Sequence, residues 1–412
     1  KMRDSCSHNE LLSLEDALIN IHNILSPIAN EESIHLPDAL ERVLSQDCFA
    51  PFDLPSFPNS SMDGYALHSE DMIEAAFNLK LIGTSWAGKP FSGSVQRGEC
   101  IRIFTGAVLP ESLDSVVMQE NVAAIDKIIH FPKNTKAQKN VRHVGEDVKK
   151  SELLLSKGKP LSAIDIGLLA AAGLYEIKVK AKLRIAFFST GDELRPIGSD
   201  LAEGQIYDSN RYSLGALLNN PCYSVNDLGV IPDDKTKTRN CLAAASKSHD
   251  VVISTGGASV GEADFIQEIL DELGQVNFWK LAIKPGKPLA FGKIGSCYFF
   301  GLPGNPISVI ATFQQIVQPA LRQLSGLAPA KALQIKARCK SKLYKKSGRQ
   351  EFQRGILSQT ETGEFEVISA GRQGSNILSA SSRANCYIVL KREQENVAID
   401  SIVTVEPFTT WI

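Results

Sequence analysis

Three stretches of the chain pass from apolar residues into glycine, small hydroxyls and acids. "STGGASVGEADF", 254–265, follows the apolar run Val251-Val-Ile253 and sets Gly256, Gly257, Ser259 and Gly261 among Glu262 and Asp264. Glycines let backbone amides approach a ligand closely, and a following helix start adds positive partial charge, so this turn suits a phosphate. Taken alone it fits a tight connection equally well. "STGDEL", 189–194, repeats the texture, with Ser189, Thr190 and Gly191 ahead of Asp192 and Glu193. "VIPDD", 230–234, adds Asp233 and Asp234. An aspartate before a helix often only caps it, which explains one acid per turn. Three acid-bearing turns at equivalent strand ends fit better with a hard cation such as Mg²⁺, which takes a few carboxylates and bridges phosphate oxygens.

Cations are supplied elsewhere. "AIKPGKPLAFG", 282–292, places Lys284 and Lys287 around a Pro-Gly turn in an otherwise apolar stretch, which favours ligand contact over simple solvation. "GLPGNPIS", 301–308, is a second rigid turn before a helix, suited to presenting amides near Pro303 and Gly304 together with Ser308. "PSFPNSSMDGYAL", 55–67, "IFTGAVLP", 103–110, and "VGEDVK", 144–149, contribute Asp63, Thr105 and Asp147 in glycine-containing turns. Each of these three is unremarkable by itself.

The elements that must position these residues follow from periodicity. "LLSLEDALINIHNIL", 11–25, spaces Leu14, Leu18, Ile21 and Leu25 on one helical face, with Ser13 and Asp16 as a capping box. "LSAIDIGLLAAAGL", 161–174, repeats the signal, capped by Ser162 and Asp165 and ended by Gly173. Between them, short alternating runs broken by Gly, Pro and Asn predict a β-rich insertion. From Leu183 strands alternate with helices, which predicts a doubly wound parallel sheet whose ligands lie beyond the strands' carboxyl ends. Alternation without helices returns after Gly326-Leu-Ala-Pro-Ala330. The expected organisation is multidomain α/β: a helical segment over 10–47 and 148–180, a β-rich insertion over 48–147, a doubly wound domain over 181–327, and an all-β domain over 328–412.

A net charge of −2 over 412 residues gives no electrostatic case for nucleic acid. No apolar run is long enough to span a bilayer, and the polar N-terminal ten residues lack a signal-peptide core. Eight cysteines without a close pair exclude C-x-x-C spacing and suggest reduced thiols and a cytoplasmic protein. H-E-x-x-H, G-x-S-x-G and Walker motifs are absent.

Together, "NSSMDGYA", "IFTGAVLP", "GEDV", "FSTGDEL", "GQIYDSN", "STGGASVGEAD", "KPGKP", "GLPGNP", "FQRG" and "RQGSNILS" occur in one order. In this the chain resembles the molybdopterin molybdenumtransferase family, the bacterial MoeA proteins and the C-terminal domain of gephyrin. The resemblance implies an elongated four-part protomer, a homodimer with the active site between subunits, and insertion of molybdate into adenylylated molybdopterin with release of AMP, using Mg²⁺ or a similar cation. By matching motif it implies Asp63, Thr105, Asp147, Glu193, Asp233 and Asp264 as catalytic, with Glu193, Asp233 and Asp264 holding metal. Lys284, Lys287, Arg354 and Ser375 match positions for the molybdate oxyanion. The glycine-rich turns, with Ser189, Thr190, Gly191, Asp192, Gly256, Gly257, Ser259, Gly261, Pro303, Gly304 and Ser308, would carry the pterin and nucleotide phosphates. Transient contact with a molybdopterin adenylyltransferase is expected. An adenylyltransferase itself would be little more than the 181–327 domain, and a non-catalytic pterin-binding scaffold is the other alternative.

Overall fold

The computed structural model describes residues 11–256, 264–328 and 331–408. The chain forms two compact units. One joins Glu41–Ser45 and the chain from Lys178 onward to the N-terminal stretch up to Glu32, and the other comprises Ser33–Leu40 and Gln46–Ile177.

The larger unit is built on a six-stranded sheet ordered Tyr223–Ile231, Leu183–Thr190, Val251–Thr255, Cys297–Leu302, Pro288–Ile294, Gln275–Lys280. Side-chain alternation on Leu183–Thr190 explains the two layers around it. Ile185 and Phe187 join a core with Leu214, Val309 and Leu321, whereas Ala186 and Phe188 join another with Leu242 and Ile269. Helices Ser209–Leu217 and Pro306–Thr312 therefore cover one face, and Lys235–Ser248 and Asp264–Leu273 the other. The doubly wound expectation holds for the first four strands, which are parallel. Pro288–Ile294 runs antiparallel to both its neighbours, so the edge strand Gln275–Lys280 shares the direction of the first four. Pro288–Ile294 and Cys297–Leu302 are joined only by Gly295-Ser296, with Gly295 at φ +61°, and so short a connection can only make a hairpin.

Helix Leu14–Ile24 begins at Ser13, whose side chain accepts the Asp16 N–H. Its apolar face, Leu14, Ala17 and Ile21, is buried in the same core as Leu183 and Leu321, so this helix belongs to the α/β unit. The C-terminal segment closes into a five-stranded barrel. Gln350–Gln359 pairs with both Phe365–Ser369 and Cys386–Leu390, and Ile335–Cys339 and Ile402–Pro407 complete the ring. Closure pairs every strand of the ring with two neighbours. The lysine loop is pinned to this barrel, because Ile283–Lys284 pairs in parallel with Gln350–Glu351.

The smaller unit carries its own six-stranded sheet, ordered Ser115–Met118, Gly64–Leu67, Glu99–Ile103, Phe77–Ser85, Ile128–Phe131, Ala123–Ile125. Ala66, Ile101 and Val116 pack on one face, and Tyr65, Cys100 and Val117 on the other. Helix Ala163–Ala171 also lies in this unit, with the full Ser162–Asp165 capping box. The cysteines of the described residues are all unpaired, and no helix there is long and apolar enough to cross a membrane.

Candidate active site

The carboxyl ends of the parallel strands open on a cavity of about 470 Å³, whose lining includes Thr190, Gly191, Glu193, Asp233, Gly256 and Gly304. Asp192 and Asp233 lock two strand ends together. The Asp192 N–H donates to the Asp233 carboxylate at 3.3 Å, and the Asp233 N–H donates to that of Asp192 at 3.1 Å. Burial pushes the Asp233 carboxyl up, the hydrogen bond from Asp192 opposes this, and the negative Asp192 and Glu193 add to the rise. Capping accounts for other acids. Asp234 caps Lys235–Ser248 by accepting the Lys237 N–H at 2.7 Å, and Asp208 caps Ser209–Leu217 by accepting from Arg211 at 3.1 Å. Asp233 caps nothing, and its charged neighbours repel it.

Two glycines allow these strand ends to close. A Cβ on Gly256, at φ +86°, would lie 2.7 Å from the Thr190 carbonyl oxygen, and one on Gly191 would lie 2.5 Å from the Glu193 carboxylate. Ser189 is turned inward, its hydroxyl 2.9 Å from that of Thr255, so it sutures adjacent strands and does not line the cavity. Gly257, Ser259 and Gly261 lie outside the described residues, as does the side chain of Asp264, although the helix begins at Asp264. Among the described residues no three His, Cys, Asp or Glu side chains gather closely enough to hold a metal ion. The carboxylates described there, Glu193 and Asp233 with Asp192 beside them, are oxygen-only donors of the kind a hard divalent cation takes, and they do not by themselves make a complete ligand set.

A second cavity of about 380 Å³ adjoins the first through Gly304, which lines both. Lys284, Lys287, Pro303, Ser308, Arg349 and Ser375 are on its wall. The Asn210 side chain donates to the Gly304 carbonyl at 2.7 Å and fixes the shared turn. Gly286, at φ +103°, is required where it stands, since a Cβ would meet the Thr312 hydroxyl at 2.4 Å. The Ile307 N–H at the helix start donates to the Ser375 carbonyl at 3.0 Å, which ties the barrel loop to the α/β domain.

Arg354 does not line this cavity. It is 1% exposed, and its guanidinium donates to the carbonyls of Arg372 at 3.2 Å and Gly374 at 3.0 Å, bracing the loop from behind. Burial depresses its pKa below the ordinary arginine value. Gln373 reinforces the brace by accepting the Arg354 N–H at 2.7 Å and donating to its carbonyl at 3.0 Å. Arg349, Gln373 and Asn210 were not among the expected site residues. Asn210 stands in "GQIYDSN" and Gln373 in "RQGS", so both had a motif signal, whereas Arg349 had none.

Asp63, Thr105 and Asp147 belong to the smaller unit. Asp63 ends the bend that precedes strand Gly64–Leu67, and at Gly64 a Cβ would meet the Val117 carbonyl oxygen at 2.1 Å. Thr105 donates its N–H and its hydroxyl to one Asp63 carboxylate oxygen, each at 2.8 Å. Those bonds, the backbone one first, hold the Asp63 carboxyl below its ordinary pKa, with help from Arg102. Asp147 is exposed, and its N–H donates to the Leu54 carbonyl at 3.0 Å. Among the described residues no hydrogen bond joins it to Asp63.

A doubly wound domain with a glycine-rich acidic rim, a β-sheet insertion and a closed barrel make up a multidomain α/β protein. Three family models cover the chain in order: MoeA N-terminal region (domain I and II) at 12–173, probable molybdopterin binding domain at 186–323, and MoeA C-terminal region (domain IV) at 336–408. The molybdopterin molybdenumtransferase of Haemophilus influenzae is 42% identical over 400 residues, 97% of this chain and 99% of that protein. That of a Nostoc species is 33% identical over 88% of this chain and 86% of its own length. The crystal structure of the molybdopterin biosynthesis MoeA protein from Pyrococcus horikoshii superimposes with a TM-score of 0.84 at 28% identity, covering 97% of this chain and all of that one (100%). The chain belongs to the molybdopterin molybdenumtransferase family.

Proposed function

We propose that this protein inserts molybdate into the dithiolene of adenylylated molybdopterin and releases AMP. It is an enzyme, a transferase of molybdenum cofactor biosynthesis, as its family membership states. The observation that carries the finer reading is the division of charge about one turn: carboxylates crowd one side of Gly304 and cations the other. A phosphoanhydride beside a tetrahedral oxyanion needs that juxtaposition.

In this reading the glycine-rich strand ends seat the phosphates, with Thr190, Gly191 and Gly256 letting them approach the backbone. Glu193 and Asp233, with Asp264 assigned by motif, would hold Mg²⁺ or a similar cation, which would supply Lewis-acid neutralisation of the phosphoanhydride charge. Lys284, Lys287, Arg349 and Ser375 hold molybdate for attack by the dithiolene sulfurs; the oxide they displace leaves as water, and one water opens the phosphoanhydride to AMP and the pterin phosphate. Arg354 and Gln373 keep the Ser375 loop in place. The sulfur ligands come from the substrate, so no cysteine of the chain is needed. Asp63, Thr105 and Asp147 are assigned to the reaction on motif grounds, and the working form is a homodimer that receives substrate from an adenylyltransferase.

The test is AMP release from purified adenylylated molybdopterin with Mg²⁺, with and without molybdate. Release that depends on molybdate, with molybdenum in the pterin product, is the expected result. Tight binding without release would make the protein a carrier or scaffold.

A further inference from the structure

Glu351 is a buried carboxylate beside a cavity for an anion. It is 4% exposed, one residue beyond the strand start at Gln350, and it was not among the residues with a motif signal. Backbone register sets it directly opposite Lys284, because Ile283–Lys284 pairs in parallel with Gln350–Glu351. One carboxylate oxygen accepts from the Lys284 ammonium at 3.2 Å. The other accepts from the Gln353 side-chain amide at 2.9 Å, and that amide also donates to the Tyr344 carbonyl at 2.9 Å. The carboxylate is therefore clamped on one side and aims its free oxygen at the lysine. Lys284, by contrast, keeps 44% of its side chain exposed and lines the cation-rich cavity.

We infer that Glu351 is a positioning residue that fixes the Lys284 ammonium for the incoming oxyanion. The inference rests on the proposed molybdate reading of this cavity. Two effects oppose each other at Glu351. Its charge weakens anion attraction, while its grip spares Lys284 the rotamer entropy that a free lysine loses on binding. The grip outweighs the charge here. Gln353 holds the carboxylate, and the charge of the buried Lys345, whose ammonium donates to three backbone carbonyls, partly offsets it.

The experiment is a double-mutant cycle on the full chain, read by calorimetric binding of inorganic molybdate and by the molybdate KM and kcat of AMP release. Glu351→Gln is expected to weaken molybdate binding about tenfold, with kcat changed far less. In a Lys284→Ala background the same change is expected to have almost no effect. Glu351→Asp, which keeps the charge, is expected to recover most of the loss. If Glu351→Gln does not fold, Glu351→Asp in both backgrounds carries the cycle, with a smaller effect of the same sign. Tighter molybdate binding on Glu351→Gln, or an equal loss without Lys284, would overturn the inference. Wild-type protein that binds molybdate with this coupling yet releases no AMP would instead sink the proposed reaction and leave the pair standing.

Discussion

The two cavities that meet at Gly304 are built in opposite ways. The acidic one is made by strand ends of a single domain, and its carboxylates stand against each other, with Asp233 repelled by Asp192 and Glu193. The cationic one is made by loops of two domains, and parts of its wall are held by buried partners: Lys284 by Glu351, and the Ser375 loop by Arg354 and Gln373. Carboxylates gathered this closely repel one another, and a bound cation would relieve that repulsion. Charges held by buried partners cost less to order on binding, so the second can discriminate by geometry.

That contrast can be broken by substitution. The largest effect is expected from Glu193→Ala, which should cut AMP release by about 10²–10³-fold with the fold intact, as loss of one electrostatic group at a reacting centre does. Wild-type turnover would remove Glu193 from the reaction. Asp233→Asn should raise the Mg²⁺ concentration needed for half-maximal release by about tenfold while the molybdate KM stays nearly constant. The mirror image is Lys287→Ala, expected to raise the molybdate KM by about tenfold and leave the Mg²⁺ requirement unchanged. If either variant moved both parameters together, the two cavities would be one site.

The smallest effect sharpens the picture of Asp63. Its folded pKa is depressed, so its contribution to stability is present above the unfolded pKa and is lost as pH falls through the folded one. Thr105→Val should raise the Asp63 pKa only in part, because the larger contribution, the Thr105 backbone N–H, survives. A carboxyl-carbon NMR titration reads this directly. A full return to the ordinary aspartate value would show that the hydroxyl had dominated.

Much of the larger unit was legible because periodicity is local. Alternation and apolar runs marked Leu183–Thr190 and Val251–Thr255, and the capping residues Ser13 and Ser162 are where the spacing puts them. Arg354 was legible as an important arginine but not as a buried brace, since a motif fixes residue type and not the direction of a side chain. The helix over 14–24 had a clear apolar face, yet only packing showed that this face is spent on the α/β core.

By itself, then, the sequence determined the element types, the glycines that strand ends and turns require, the acids and lysines of the motifs, and through their order the family. Tertiary structure alone decided that Asp233 is repelled while Asp234 caps, that the cation cavity needs Arg349 and Ser375 from the barrel, and that Glu351 faces Lys284. The physical reason is range. Hydrogen-bond ladders and side-chain periodicity act between near neighbours and leave a trace in spacing. A parallel pairing of residues 283–284 with 350–351 joins positions far apart along the chain, and nothing in either stretch announces the other.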